Sequence, residues 1–211
     1  MGNMIADATR WFYPDVEVAI TNSGGLRADI LCNPPSGGEQ PCQITWGEMF
    51  AVLPFGNSTF IETLTGTQLS QALINGFSPK CDSAISTGRF PQVSGLKVTF
   101  HCDTAKKPVI DGMWKTPSGP GGPEIAIGPT DTVRIVTNDF MATGGDGYTV
   151  LTQGTDKLSP GDLLLDVAIE YVKAFSPVGP VVDGRLLYGV TEGWPYAFEI
   201  VSKIFFPLLG R

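Results

Sequence analysis

The sequence predicts an α+β domain, and three observations carry that expectation. Segments with helix-capping signals and apolar residues at helical spacing are interleaved with short runs of alternating or β-branched residues. The 211-residue chain is 42% hydrophobic and 17% charged, with a mean hydropathy of +0.09, the composition of a folded globular protein. Its length is that of one domain with a short extension, divided here as residues 1–189 and 190–211.

The first helix is marked by Met4, Ile5, Ala8 and Phe12 at helical spacing. The segment has no basic start, no apolar run of leader length and no cleavage pattern. It reads as a helix that begins abruptly and docks on a core, so the chain is expected to be part of a longer one. Residues 16–20 place Val16, Val18 and Ile20 on one face, as a half-buried strand does. Thr45 and Glu48 have capping-box spacing ahead of Met49, Phe50 and Val52, and Pro54 ends that helix. Thr67 precedes Leu69, Ala72 and Leu73, with Gly76 as a left-handed C-cap. Residues 96–100 and 132–137 read as strands, with a glycine- and proline-rich surface loop at 116–123. Ser159, Pro160 and Asp162 predict the start of the longest helix, with Leu165, Ala168, Ile169 and Val172 buried and Asp166, Glu170 and Lys173 in water. The tail from Gly193 is apolar but broken by Glu199, Lys203 and Pro207, short of a membrane span. Phe198, Val201, Phe205 and Leu208 would share a helical face there, as a docking helix, a linker or an interfacial helix.

Net charge of −7 and a pI near 4.6 argue against a nucleic-acid partner, whose binding rests on neutralised phosphates. Of the three pairings open to Cys32, Cys42, Cys81 and Cys102, Cys32–Cys42 is favoured because it closes an otherwise floppy glycine- and proline-rich stretch. Cys81–Cys102 then follows. Four buried free thiols are the alternative.

Three segments could carry chemistry. Asn22-Ser23-Gly24-Gly25-Leu26-Arg27 follows a strand with an amide, bare backbone and a guanidinium whose planar fork suits an anion. It equally suits a tight turn with a surface arginine. Leu53-Pro54-Phe55-Gly56-Asn57 leaves Phe55 between two chain punctuators, as a core plug or a ligand platform. Residues 138–148 set Phe140 ahead of Asp146 and three glycines. The spacing fails the phosphate-loop patterns, and a carboxylate among glycines suits sugar hydroxyls. It could also be a turn bonding its own backbone. His101 is the only histidine, so no two-metal phosphoesterase site can be assembled. A serine nucleophile lacks its elbow motif, and the lone His101 would have to serve as its base. No catalytic or metal-ligating residue is assigned.

In this order, the segments at 22–27, 45–48, 53–56, 90–95 and 138–147 resemble the C-terminal domain of the 5′-nucleotidase and UDP-sugar hydrolase family, over roughly residues 2–187. The resemblance implies a layered α/β/β/α arrangement with mixed sheets. It also implies a parent chain whose separate N-terminal metallophosphoesterase domain holds two divalent metal ions, this chain holding no cofactor of its own. Carried over by motif, Phe55 and Phe140 would sandwich a base, with Asn22 at the base edge and Asn57 a further base contact. Arg27 would lie on the phosphate or ribose side, Gly24 at the backbone approach and Asp146 on the ribose hydroxyls. The implied partner is a nucleotide or nucleoside, and the implied location extracellular, periplasmic or cell-surface. A free-standing binding or adhesion module is the alternative.

Overall fold

Local signals start most of the elements. The computed structural model describes residues 1–31, 42–179, 181–189 and 199–200. Helix α1 (Gly2–Phe12) buries Ile5, Ala6 and Ala8 along one stripe, and β1 (Val18–Asn22) follows. Helix α2 (Trp46–Val52) opens on the expected capping box, in which the Glu48 amide donates to the Thr45 hydroxyl and the Thr45 amide to the Glu48 carboxylate. Strand β2 (Thr59–Thr65) runs directly into α3 (Gly66–Cys81), which opens on a second capping box between Thr65 and Gln68. Then come β3 (Pro91–Ser94), β4 (Leu96–Cys102), β5 (Pro108–Lys115), β6 (Ile125–Ala126) and β7 (Thr132–Asn138). The short α4 (Asp139–Ala142), β8 (Thr155–Leu158), α5 (Leu164–Phe175), β9 (Leu186–Tyr188) and β10 (Glu199–Ile200) complete the order.

The strands form two mixed sheets, β3-β1-β7-β2-β8 and β10-β9-β4-β5-β6. β1 pairs in parallel with β7 and antiparallel with β3; β7 and β2 share a seven-residue antiparallel ladder from Thr59↔Asn138 to Thr65↔Thr132. One face of the first sheet, with Val18, Ile20, Leu64, Val133 and Ile135, joins α3 and the second sheet in the main core. Phe77 of α3 stacks on Phe100 of β4, ring centroids 3.9 Å apart. The other face carries Ala19, Ile61 and Val136, and α1, α2 and α5 share a cluster of their own around Ile5, Met49, Val52 and Ala168. This is the expected α+β fold with mixed sheets.

Several expectations shift. The first strand starts at Val18 and is buried on both faces, because it sits inside the sheet rather than half-exposed. Thr65, not Thr67, caps α3, and Gly76 lies inside that helix. A side chain at Gly76 would run into the Tyr148 hydroxyl and the Pro91 ring, so close packing is its reason, not a left-handed cap. Helix α5 begins at Leu164 without a side-chain cap. Asp162 is engaged elsewhere: its carboxylate accepts from the Tyr13 hydroxyl at 2.6 Å and its carbonyl from the Thr59 amide. At 12 residues α5 is shorter than the 16 of α3. Phe50 faces outward, stacked on Trp46 at 5.1 Å. Glu199 and Ile200, in the tail read as a docking helix, a linker or an interfacial helix, pair with β9 as strand; the rest of the tail pattern lies outside the described residues. Cys81 and Cys102 form a disulfide, tying the end of α3 to the end of β4. Cys42 is disulfide-bonded, and the expected Cys32 partner lies outside the described residues.

A buried carboxyl has no hydrogen-bond partner among the described residues. Glu62, in mid-β2, is 0% exposed, and neither carboxyl oxygen meets a hydrogen-bond donor. Burial pushes its carboxyl up to about 7, against the pull of the Lys157 charge.

Candidate functional site

The register of the first sheet gathers the three chemistry-bearing segments at one edge. Asn22 ends β1, Asn138 ends β7, Thr59 begins β2 opposite Asn138, and Pro91 begins β3 opposite Asn22. The loops that continue from these residues therefore emerge side by side.

The first loop is a short 3-10 turn at Ser23–Gly25. A Cβ on Gly24 would press on the backbone of Gly88 at 3.1 Å. The bare backbone at Gly24 thus lets two protein loops lie against each other. Arg27 is exposed, its guanidinium 5.7 Å from the centre of the Phe55 ring, a distance at which cation and ring attract. The Arg27 amide donates to the Val52 carbonyl, which fixes this loop to the end of α2.

The second loop reverses the chain between α2 and β2, with Gly56 at φ +67°, a conformation that strains any residue with a side chain. Phe55 is 59% exposed, which decides between core plug and surface ring. Asn57 donates its amide to the Asp139 carboxylate at 2.8 Å, and Ser58 donates its hydroxyl to the same carboxylate. Gly25, Phe55, Gly56, Asn57 and Asn138 line one shallow depression.

The third loop leaves β7 through α4, where the Asn138 side chain accepts from the Met141 amide as an N-cap. Phe140 is 44% exposed, its ring lying over Gly145, where any side chain would collide with it. Asp146 adopts φ +53°, flanked by Gly144 and Gly147 at φ +95° and +80°. Left-handed backbone costs a non-glycine residue about 1 kcal/mol and persists only where the surroundings impose it. Here Asn22 donates its amide to the Asp146 carboxylate at 2.7 Å, and Asn138 donates to Asn22 Oδ1 at 3.1 Å. The carboxylate thus bonds across the sheet edge and not to its own turn.

Asn22 is 4% exposed, and both ends of its amide are engaged within the protein. Phe55 and Phe140 occupy neighbouring loops, and neither stacks on another ring among the described residues. The edge presents two exposed phenyl rings, a guanidinium beside one of them, and a fixed carboxylate with spare acceptor capacity: groups that suit a planar ring carrying hydroxyls and an anion. Four supporting residues were not singled out from sequence: Asn138, Asp139, Asn75 and Arg89. Asn138 and Asp139 carried a signal, a polar pair of capping type directly after a strand; Asn75 and Arg89 carried none. His101 lies partly exposed in β4, its Nδ1 2.8 Å from Asp111. Among the described residues no three His, Cys, Asp or Glu side chains come together as a metal site, and no helix is long and apolar enough to cross a membrane.

Residues 1–153 match the family described as 5′-nucleotidase, C-terminal domain. The chain is 35% identical over 190 residues to the trifunctional nucleotide phosphoesterase protein YfkN of Bacillus subtilis, covering 88% of this chain and 12% of that protein. It is 31% identical over 196 residues to cell wall protein Lmo0130 of Listeria monocytogenes, covering 89% and 23%. Among solved structures it superposes on the 5′-nucleotidase precursor of Thermus thermophilus with a TM-score of 0.74 and 33% identity, covering 89% of this chain and 34% of that one. The chain spans well under half the length of each of these relatives. Motif order, sheet topology and sequence agree: this chain belongs to the 5′-nucleotidase C-terminal domain family.

Proposed function

We propose that this chain is the nucleotide-recognition part of a 5′-nucleotidase-type phosphoester hydrolase. The observation that carries the reading is the pair of exposed rings, Phe55 and Phe140, on adjacent loops of one sheet edge beside the Asn22–Asp146 hydrogen bond. The rings hold the base by stacking, which tolerates many bases because each has a π face. Asp146 accepts from the ribose hydroxyls. Arg27 takes the phosphate side, and Asn22 and Asn57 border the base while holding Asp146 and Asp139 in place. Gly24 lets the first loop pack closely enough to complete the rim.

Residues 1–189 form the binding unit, and 190–211 an extension. Hydrolysis belongs to a metallophosphoesterase domain with two divalent metal ions, joined to this unit in an exported or surface-held parent. The similarity to a cell wall protein and the disulfides favour that location. A free-standing binding or adhesion module is the second reading, favoured by the same cell wall relative.

Titration calorimetry of the 211-residue chain with adenosine, AMP and UDP-glucose tests the proposal. Binding without turnover is expected. The Phe55→Ala/Phe140→Ala double variant should weaken it at least thirtyfold, since each stacked contact is worth about 1–3 kcal/mol. No heat with any of the three ligands would overturn the nucleotide reading and leave the adhesion module.

A further inference from the structure

We infer that Asn75 of α3 is a positioning residue that sets the preference for an intact ribose, an inference that rests on the nucleotide reading above. Asp146 is held from two sides. Asn22 fixes its carboxylate; Asn75 donates its side-chain amide to the Asp146 carbonyl at 3.1 Å. The second bond lies on the backbone, so it governs the left-handed φ of +53° that decides where the carboxylate points.

Asn75 is itself oriented. Its Oδ1 accepts from Arg89 Nη1 at 3.1 Å, which turns its amide nitrogen toward the 146 carbonyl. The Tyr148 hydroxyl donates to the Arg89 carbonyl at 2.7 Å, and Tyr148 is fully buried, so the segment just after Asp146 is pinned to the 87–89 turn whose arginine also orients Asn75. Gly147 belongs to this clamp: a Cβ there would stand 2.8 Å from Asn75 Oδ1. Helix α3 thereby reaches a loop at the sheet edge through Asn75 and the 146 carbonyl, with Arg89 of the 87–89 turn orienting Asn75.

A carboxylate that accepts from a vicinal diol must be placed to within a few tenths of an ångström, whereas base stacking tolerates small displacements. Loss of the Asn75 bond releases the 146 peptide and spreads the carboxylate over several orientations. The side-chain hydrogen bonds of Asn75 run to Asp146 and Arg89, so their loss leaves the rings at 55 and 140 to keep their grip. Asn75 therefore controls the ratio between a ligand with both ribose hydroxyls and one without, not overall affinity.

Calorimetry of the full chain with adenosine and with 2′,3′-dideoxyadenosine reads that ratio. Wild type should favour adenosine at least tenfold. Asn75→Ala should bring the ratio below threefold through weaker adenosine binding, with dideoxyadenosine affinity unchanged within twofold. Arg89→Met, which leaves Asn75 in place but unoriented, should give an intermediate ratio and serves alone if Asn75→Ala does not fold. An unaltered ratio in both variants, or equal weakening of both ligands, overturns the role of Asn75 while leaving nucleotide binding intact. Absence of adenosine binding in wild type, by contrast, overturns the nucleotide reading itself.

Discussion

The two ends of β1 both gather aromatic rings and charged groups, but the groups are used differently. Where β1 begins, Trp11 packs edge-on against Tyr171 and Phe175 at 5.7 and 5.4 Å, beside an open cavity of about 380 Å³ that Arg10 and Arg185 also line. Arg185 is almost buried and is held by Asp7, by Asp183 and by the Val93 carbonyl. Burial pulls its guanidinium down, but these bonds and charges carry it above the ordinary arginine range. Two guanidinium groups face two carboxylates, so the charges there cancel. Where β1 ends, Phe55 and Phe140 have no ring partner among the described residues, and the Asp146 carboxylate is fixed with acceptor capacity to spare. The comparison teaches that size of cavity is the poorer guide: the larger hollow has its chemistry satisfied within the protein, and the shallower edge does not.

The sharpest way to break this contrast is at Arg185. Arg185→Met strands Asp7 and Asp183 without their partner in a nearly buried site, which costs about 3–5 kcal/mol. Urea unfolding should show the loss as a lower midpoint. The folded fraction should bind adenosine as wild type does, because the charge cluster serves the fold and not the opposite edge. A variant that kept its stability would show that the cluster is not the structural end of the pair.

Between the two ends, Glu62 gives the contrast a pH dependence. In the unfolded chain its carboxyl ionises at its ordinary value near 4.5; in the fold it keeps its proton up to about 7. Over that window the folded state holds more protons than the unfolded one. The contribution of Glu62 is therefore fully present below about pH 4.5 and is lost as pH rises through about 7. At about 1.4 kcal/mol per unit, the fall amounts to roughly 3–4 kcal/mol. Comparing wild type with Glu62→Gln across pH 4–8 isolates this group, and the variant should be the flatter of the two. Parallel pH profiles would show that the carboxyl is ionised in the fold.

How far each end could be read in advance follows from sequence distance. The edge segments were legible because each is a contiguous run of unusual residues: paired glycines before Arg27, a phenylalanine between proline and glycine, an acid among three glycines. The start of α2 was legible because Thr45 and Glu48 interact within one turn. What holds the edge in shape was not legible. Asn75 bonds Asp146 across 71 positions and Asn22 bonds it across 124; nothing local marks an asparagine inside an apolar helix as a buttress. Arg185 reaches Asp7 across 178 positions, and its isolated stretch of sequence gives no sign of it. Glu62 carries no sequence signal that marks it as buried. Only the covering of β2 on both faces, with Gly154 lying where any side chain would strike the carboxylate, puts it in the core.

A smaller effect separates the aromatic residues. Trp11→Ala removes three edge-to-face pairings, with Phe12, Tyr171 and Phe175, each worth up to about 0.5–1.5 kcal/mol. Half-exposure of the ring puts the net loss near 1 kcal/mol, visible as a fall in thermal midpoint of a few degrees with ligand affinity unchanged.

The smallest expected change in stability belongs to the residues with the largest expected effect on binding. Phe55→Ala and Phe140→Ala remove rings that already stand largely in water. Phe55 lies beside the Arg27 guanidinium, and Phe140 over the Gly145 backbone. Each should shift stability by no more than about 0.5 kcal/mol. Large apolar groups held in water at no benefit to the fold are kept for some other contact. If either substitution instead lowers stability as much as Trp11→Ala does, that ring is part of the packing after all, and the two ends of β1 differ less than their exposed surfaces indicate.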